Sequence, residues 1–152
     1  MMTMFFEFEA DFVESLRCIP MAVRCKLDTC GIKLKLAQWH QFSQAERLAL
    51  VELPCVTADE VQHYREQLQA WVVHYTGDRP SELAIAAIPP WLDVSAVPES
   101  VQQQAGCWGV VITQKKWAGL SALQRFALIK LAQSKHEHQN LLPALREFHL
   151  LL

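Results

Sequence analysis

Between residues 57 and 77, apolar side chains return every three or four positions. Val61, Tyr64, Leu68, Trp71, Val72 and Tyr75 fall on one helical stripe with polar residues between them. Thr57-Ala-Asp-Glu60 precedes the stripe as a capping box, in which the hydroxyl and the carboxylate satisfy free N–H groups reciprocally. Gly77 follows as a stop, so the pattern predicts one amphipathic helix over residues 57–76. Asp11-Phe-Val-Glu14 is a second capping box and predicts a short helix toward Arg17.

The rest of the pattern repeats. At a shift of 78 residues, which carries Gly31 onto Gly109, Pro20 falls on Pro98, Val23 on Val101, Trp39 on Trp117 and Ser43 on Ser121. Arg47 then falls on Arg125, Ala49 on Ala127, Leu50 on Leu128 and Leu53 on Leu131, all without a gap. We read a duplicated unit over residues 20–53 and 98–131. Two copies are too few for an open solenoid, so a closed pair related by a pseudo-twofold axis is expected.

Each copy parses into the same elements. A helix opens at Pro20 or Pro98, where a missing N–H costs nothing, and ends before Gly31 or Gly109. Ile32-Lys-Leu34 and Val110-Val-Ile112 are too short for helices and read as extended rungs, which are expected to pair as a small antiparallel ladder. A short helix carries Trp39 or Trp117, both expected in the core. The capping boxes Ser43-Gln-Ala-Glu46 and Ser121-Ala-Leu-Gln124 then open a longer helix. Residues 48–53 and 126–131 of those helices are apolar nearly all round, which implies burial on most sides. Residues 78–98 carry Pro80, Pro89, Pro90 and Pro98 and read as a connector, with at most a short helix near residues 81–87. Its Ile85, Ile88, Trp91 and Leu92 suggest that it lies against the core, and residues 143–152 are expected as a last helix. The expected fold class is all-α: a single small helical domain of two repeats, with room for a two-rung β ladder.

Composition supports a packed domain. The 152 residues are 51% hydrophobic and 20% charged, and a chain of this size buries roughly two thirds of its unfolded surface. A net charge of −2 gives no general drive toward nucleic acid or anionic membrane. Glu7, Glu9 and Asp11 stand where an export signal would need positive charge, and no run approaches the ~20 apolar residues of a membrane span. Five cysteines, an odd number, are expected as free thiols in a cytoplasmic protein.

Candidate chemistry is sparse. Cys18, Cys25 and Cys30 lack the CxxC spacing of a closed zinc site, as does any pairing with Cys55 or Cys107, so no metal is expected. The helix–loop–rung–helix order fits a paired calcium-binding unit, but Asp28 is the sole carboxylate between Leu27 and Leu36, and there is none between Ala105 and Lys116. Nucleophile elbows, Walker A loops and dinucleotide fingerprints are absent from the sequence, so no catalytic residue and no cofactor is assigned. Arg47 and Arg125 read as packed side chains whose heads meet a carboxylate or the last carbonyls of the preceding helix.

Charge is unevenly spread. Residues 100–136 hold no carboxylate, whereas they carry Lys115, Lys116, Arg125, Lys130 and Lys135. A second basic run comprises Arg17, Arg24, Lys26, Lys33 and Lys35, while the helix and connector between Thr57 and Glu99 hold seven carboxylates against Arg65 and Arg79. Lys33, Lys35, Lys115, Lys116 and Lys130 are the candidate surface for an acidic partner. A helix-turn-helix DNA reader is disfavoured by the short Trp39 helix and the slightly acidic chain.

Several stretches resemble the nitrate reductase-associated protein family of cyanobacteria. They are Phe8-Glu-Ala-Asp-Phe-Val-Glu-Ser-Leu-Arg-Cys-Ile-Pro-Met21, Lys26-Leu-Asp-Thr-Cys-Gly31, Leu53-Pro-Cys55, Gln124-Arg-Phe-Ala-Leu-Ile-Lys-Leu131 and Leu142-Pro-Ala-Leu-Arg-Glu-Phe148. The resemblance spans nearly the whole chain. It implies a non-catalytic accessory protein, needed for maturation or activity of assimilatory nitrate reductase, with that enzyme or its maturation machinery as partner. It supplies no catalytic residues. The alternative is a small cysteine-based metal or redox module acting in nitrate assimilation.

Overall fold

The computed structural model describes residues 5–10, 16–134 and 138–151; the capping box at Asp11 lies outside them. Two compact units are resolved, Met1–Ala86 and Ala87–Leu152.

In the first unit, α1 spans Met21–Cys30 after Pro20, and the carboxylate of buried Glu9 accepts the Met21 N–H at 3.1 Å. A negative group there complements the helix dipole. The helix stops at Gly31, whose φ of 77° is left-handed and disfavoured for any residue with a Cβ. Strand β1 (Ile32–Lys33), α2 (Leu36–Gln41) and α3 (Gln44–Glu52) follow, and α4 (Ala58–Thr76) ends on left-handed Gly77. Tyr64, Leu68 and Val72 of the α4 stripe are buried, and Phe42 packs between the rings of Trp39, Trp71 and Tyr75. Leu48, expected inside, is exposed, because α3 buries one face, Leu50 and Val51.

The small ladder exists, with a partner other than the one expected. β1 pairs antiparallel with β2 (Ser81–Glu82), Ile32 opposite Glu82 and Lys33 opposite Ser81. Residues 110–112 form no strand. Arg65 explains the choice: from α4 it donates to Cys30 O at 2.7 Å and forms an ion pair with Glu82. The start of the connector is thereby held against the rung of its own unit, and the short helix allowed near residues 81–87 does not form. Nor is the connector sunk in the core, since Ile85, Ile88 and Leu92 are all exposed.

In the second unit, a 3-10 turn at Pro90–Leu92 sets the half-buried Trp91 edge-on to Phe126, with ring centroids 5.1 Å apart. Helices α5 (Glu99–Gly106), α6 (Gln114–Gly119), α7 (Ala122–Gln133) and α8 (Leu141–Glu147) follow. The starts of α5, α6 and α7 come 78 residues after those of α1, α2 and α3. Helix α5 ends short of Gly109 through a tightened last turn, and the Val110 N–H then closes back on Ala105 O at 3.1 Å. The last helix is shorter than the 143–152 expected. His149 takes φ 59°, Leu150 N–H bonds Leu145 O at 2.9 Å, and both leucines are buried. Reversing the chain to bury Leu150 is what ends the helix, and no glycine marks it in the sequence.

Candidate partner-binding surface

Each unit is held at equivalent places by a tryptophan, a capping box and an arginine. Trp39 and Trp117 are fully buried, and their indole N–H groups donate to Leu16 O at 2.8 Å and Asp93 O at 3.0 Å. Ser43 and Ser121 accept from Glu46 N–H and Gln124 N–H, each at 3.1 Å, and the Glu46 and Gln124 side chains return the bond. Arg47 donates to Trp39 O at 3.1 Å and His40 O at 2.9 Å. Arg125 donates to Trp91 O at 2.7 Å and Leu120 O at 2.5 Å. Both guanidinium groups are thus spent on backbone carbonyls: at the end of the preceding helix for Arg47, and at that end and the Pro90–Leu92 turn for Arg125.

The candidate lysines divide between the units. Lys33 lies on β1 and Lys35 is the N-cap residue of α2, both exposed. Lys115 and Lys116 are exposed in the first turn of α6. Lys130, in the last turn of α7, sets its ammonium 5.3 Å from the Phe126 ring centroid, so part of its charge is engaged in the fold.

Lys26 leaves the basic run. Its ammonium donates to Val51 O and Leu53 O, both at 2.6 Å, capping the end of α3, and it sits 5.8 Å from the Tyr64 ring. Burial holds its pKa below the ordinary lysine value. The signal in the sequence is spacing: Lys26 follows Val23 by three residues, on the face that buries Val23, Leu27 and Cys30.

Three thiols flank this lysine. Burial first, and the neighbouring Asp28 second, push Cys25 up to about 12; burial and Cys55 push Cys30 up to about 12; burial pushes Cys55 up to about 11. A thiol held protonated is a poor nucleophile and a poor metal ligand. Among the described residues no three His, Cys, Asp or Glu side chains converge on a metal-ion site. No described helix is long and apolar enough to cross a membrane.

What the geometry offers is therefore exposed positive charge in each unit, with Arg47, Arg125 and Lys26 turned to internal bonding. No curated protein and no solved structure matches the chain. Residues 5–148 match the family described as conserved nitrate reductase-associated protein, and the chain belongs to that family.

Proposed function

We propose that this protein is a non-catalytic accessory factor that binds the nitrate reductase polypeptide, or the machinery that matures it, through its exposed lysines. Membership of a family described as nitrate reductase-associated supports this choice of partner. The observation that carries the surface is that Lys115 and Lys116 stand exposed on α6 within residues 100–136, which hold no carboxylate. Arg47, Arg125 and Lys26, the other cations in the two basic runs with described internal bonds, cap helix ends. A redox or metal role for Cys25, Cys30 and Cys55 is disfavoured by the burial that raises all three.

Affinity capture with the tagged chain from native cells grown on nitrate tests this reading. The nitrate reductase polypeptide is expected in the captured fraction and its yield should fall as salt is raised. Absence of that polypeptide, with the tagged chain folded, rejects the association.

A further inference from the structure

The turn after α5, like the turn after α1, ends on a left-handed glycine, and it lacks what covers the first one. Gly31 and Gly109 both take left-handed backbone, φ 77° and 73°; the first leads into β1 and the second into residues 110–112, which lie outside helix and strand. In the first unit that stretch is paired. Leu83 donates its N–H to Gly31 O at 2.8 Å, and Lys33 sits opposite Ser81. Antiparallel alternation makes Lys33, through both its N–H and its C=O, the next hydrogen-bonded position. Ile85 covers the glycine so closely that an added Cβ would lie 2.9 Å from its Cγ1.

At the corresponding residues of the second unit no strand pairs among the described residues. Val110 N–H is used internally, and the Gln102 side chain ties Ile112 N–H at 3.1 Å and Ile112 O at 2.5 Å. The counterparts of the pairing groups are Gly109 C=O and Val111 N–H and C=O, and these have no partner among the described residues. Val111 is 77% exposed, Trp108 beside it is 43% exposed, and a Cβ on Gly109 would meet nothing within 4 Å. Exposed, unpaired backbone groups beside a β-branched residue offer a template for another strand.

We propose that residues 109–111 are a docking edge on which an extended, acidic segment of the client polypeptide adds as an antiparallel strand, as residues 81–83 do in the first unit. The chemistry of the occupant follows from two observations. The strand that fills the first edge carries a carboxylate, Glu82, between its two hydrogen-bonded positions, and that carboxylate pairs with Arg65. The second edge is followed within a few residues by exposed Lys115 and Lys116, with no carboxylate over residues 100–136 to compete. Backbone pairing gives affinity, and the lysines select for acid. The client's identity rests on the proposed association with nitrate reductase; the edge does not.

The test uses the full chain and two probes. Val111→Pro removes the N–H without breaking an internal bond, and Val111→Ala keeps it. A synthetic peptide with the sequence of residues 80–86, which carries the β2 pattern and its one carboxylate without Arg79, is titrated into the isotope-labelled chain. The Val111 amide signal is expected to shift and to gain protection from exchange, and Val111→Pro should weaken binding about tenfold while Val111→Ala retains it. Capture of nitrate reductase should fall in parallel. If the peptide protects Val111 but the wild type captures no nitrate reductase, the edge stands and the association fails. If capture proceeds equally with Val111→Pro and Val111 gains no protection from either probe, the edge proposal is overturned and the association stands. A dimer in sedimentation that Val111→Pro dissolves overturns it too, because a second copy would be the occupant. Should Val111→Pro fail to fold, protection of the wild-type Val111 amide decides alone.

Discussion

Trp39 and Trp117 each bury a whole indole while giving its one polar atom a carbonyl, Leu16 O or Asp93 O. Truncating either to Ala leaves a large cavity and strands that acceptor, so a loss of about 3–5 kcal/mol in chemical denaturation is expected at both sites. The pair of tryptophans is visible in the sequence because the 78-residue shift brings them into register. Their acceptors are not, since a backbone carbonyl carries no side-chain signature. The thiols show the same blindness: nothing in the spacing of Cys25 and Cys55 tells that burial raises both. The Cys25 pKa rises from an ordinary 9.0 to about 12 in the fold. As pH climbs between those values the unfolded chain sheds the proton first, so this stabilisation is whole below the lower value and is lost toward the upper one. Lys26, depressed by burial, works in the opposite sense but is common to both chains in the comparison. Melting temperature should therefore fall more steeply above pH 9 in the wild type than in Cys25→Ala, as measured by circular dichroism. Equal slopes would mean that Cys25 is not held protonated.

At the scale of elements, pattern and capping decided most of what forms. Thr57, Ser43 and Ser121 all cap the helices that their boxes predict, and the stripe from Val61 to Tyr75 gives α4 its buried face. The errors fall where pairing is tertiary. A two-residue strand has no periodicity of its own, so its partner was set by Arg65 and Glu82, residues that the sequence presents as ordinary charges on an acidic stretch. The short α8 was hidden for a related reason: His149, not glycine, takes the left-handed position. The paired glycines separate local strain from packing. Gly109→Ala meets open space and should cost only the left-handed penalty, about 1 kcal/mol. Gly31→Ala adds a methyl 3.0 Å from Leu83 O and against Ile85, so β2 must move as well. It should cost measurably more in a denaturant titration and release amide protection at Leu83. Equal costs would mean that β2 contributes nothing to the first unit.

For the whole molecule the informative quantity is where charge is left unspent. The sequence shows the asymmetry, two basic stretches around an acidic helix and connector, but not which cations the fold consumes. Arg47, Arg125 and Lys26 go to carbonyls, Arg65 goes to Glu82, and Lys130 leans on Phe126. Lys33 and Lys35 stay exposed in the first unit. Lys115 and Lys116 remain as exposed charges on α6, and the helix they belong to is capped by Thr113 without their help. Reversing both to Glu should therefore leave the melting temperature nearly unchanged, since exposed charges contribute little to stability. If the client presents acid, the reversal turns attraction into repulsion at the encounter. Capture of nitrate reductase should then be abolished, chiefly through a slower association rate, and wild-type capture should weaken as added salt shortens the screening length. Surface plasmon resonance against the purified enzyme reads both effects. Capture that survives the reversal and high salt would show an apolar contact instead, and the exposed Ile88 and Leu92 beside Trp91 would be the residues to truncate next.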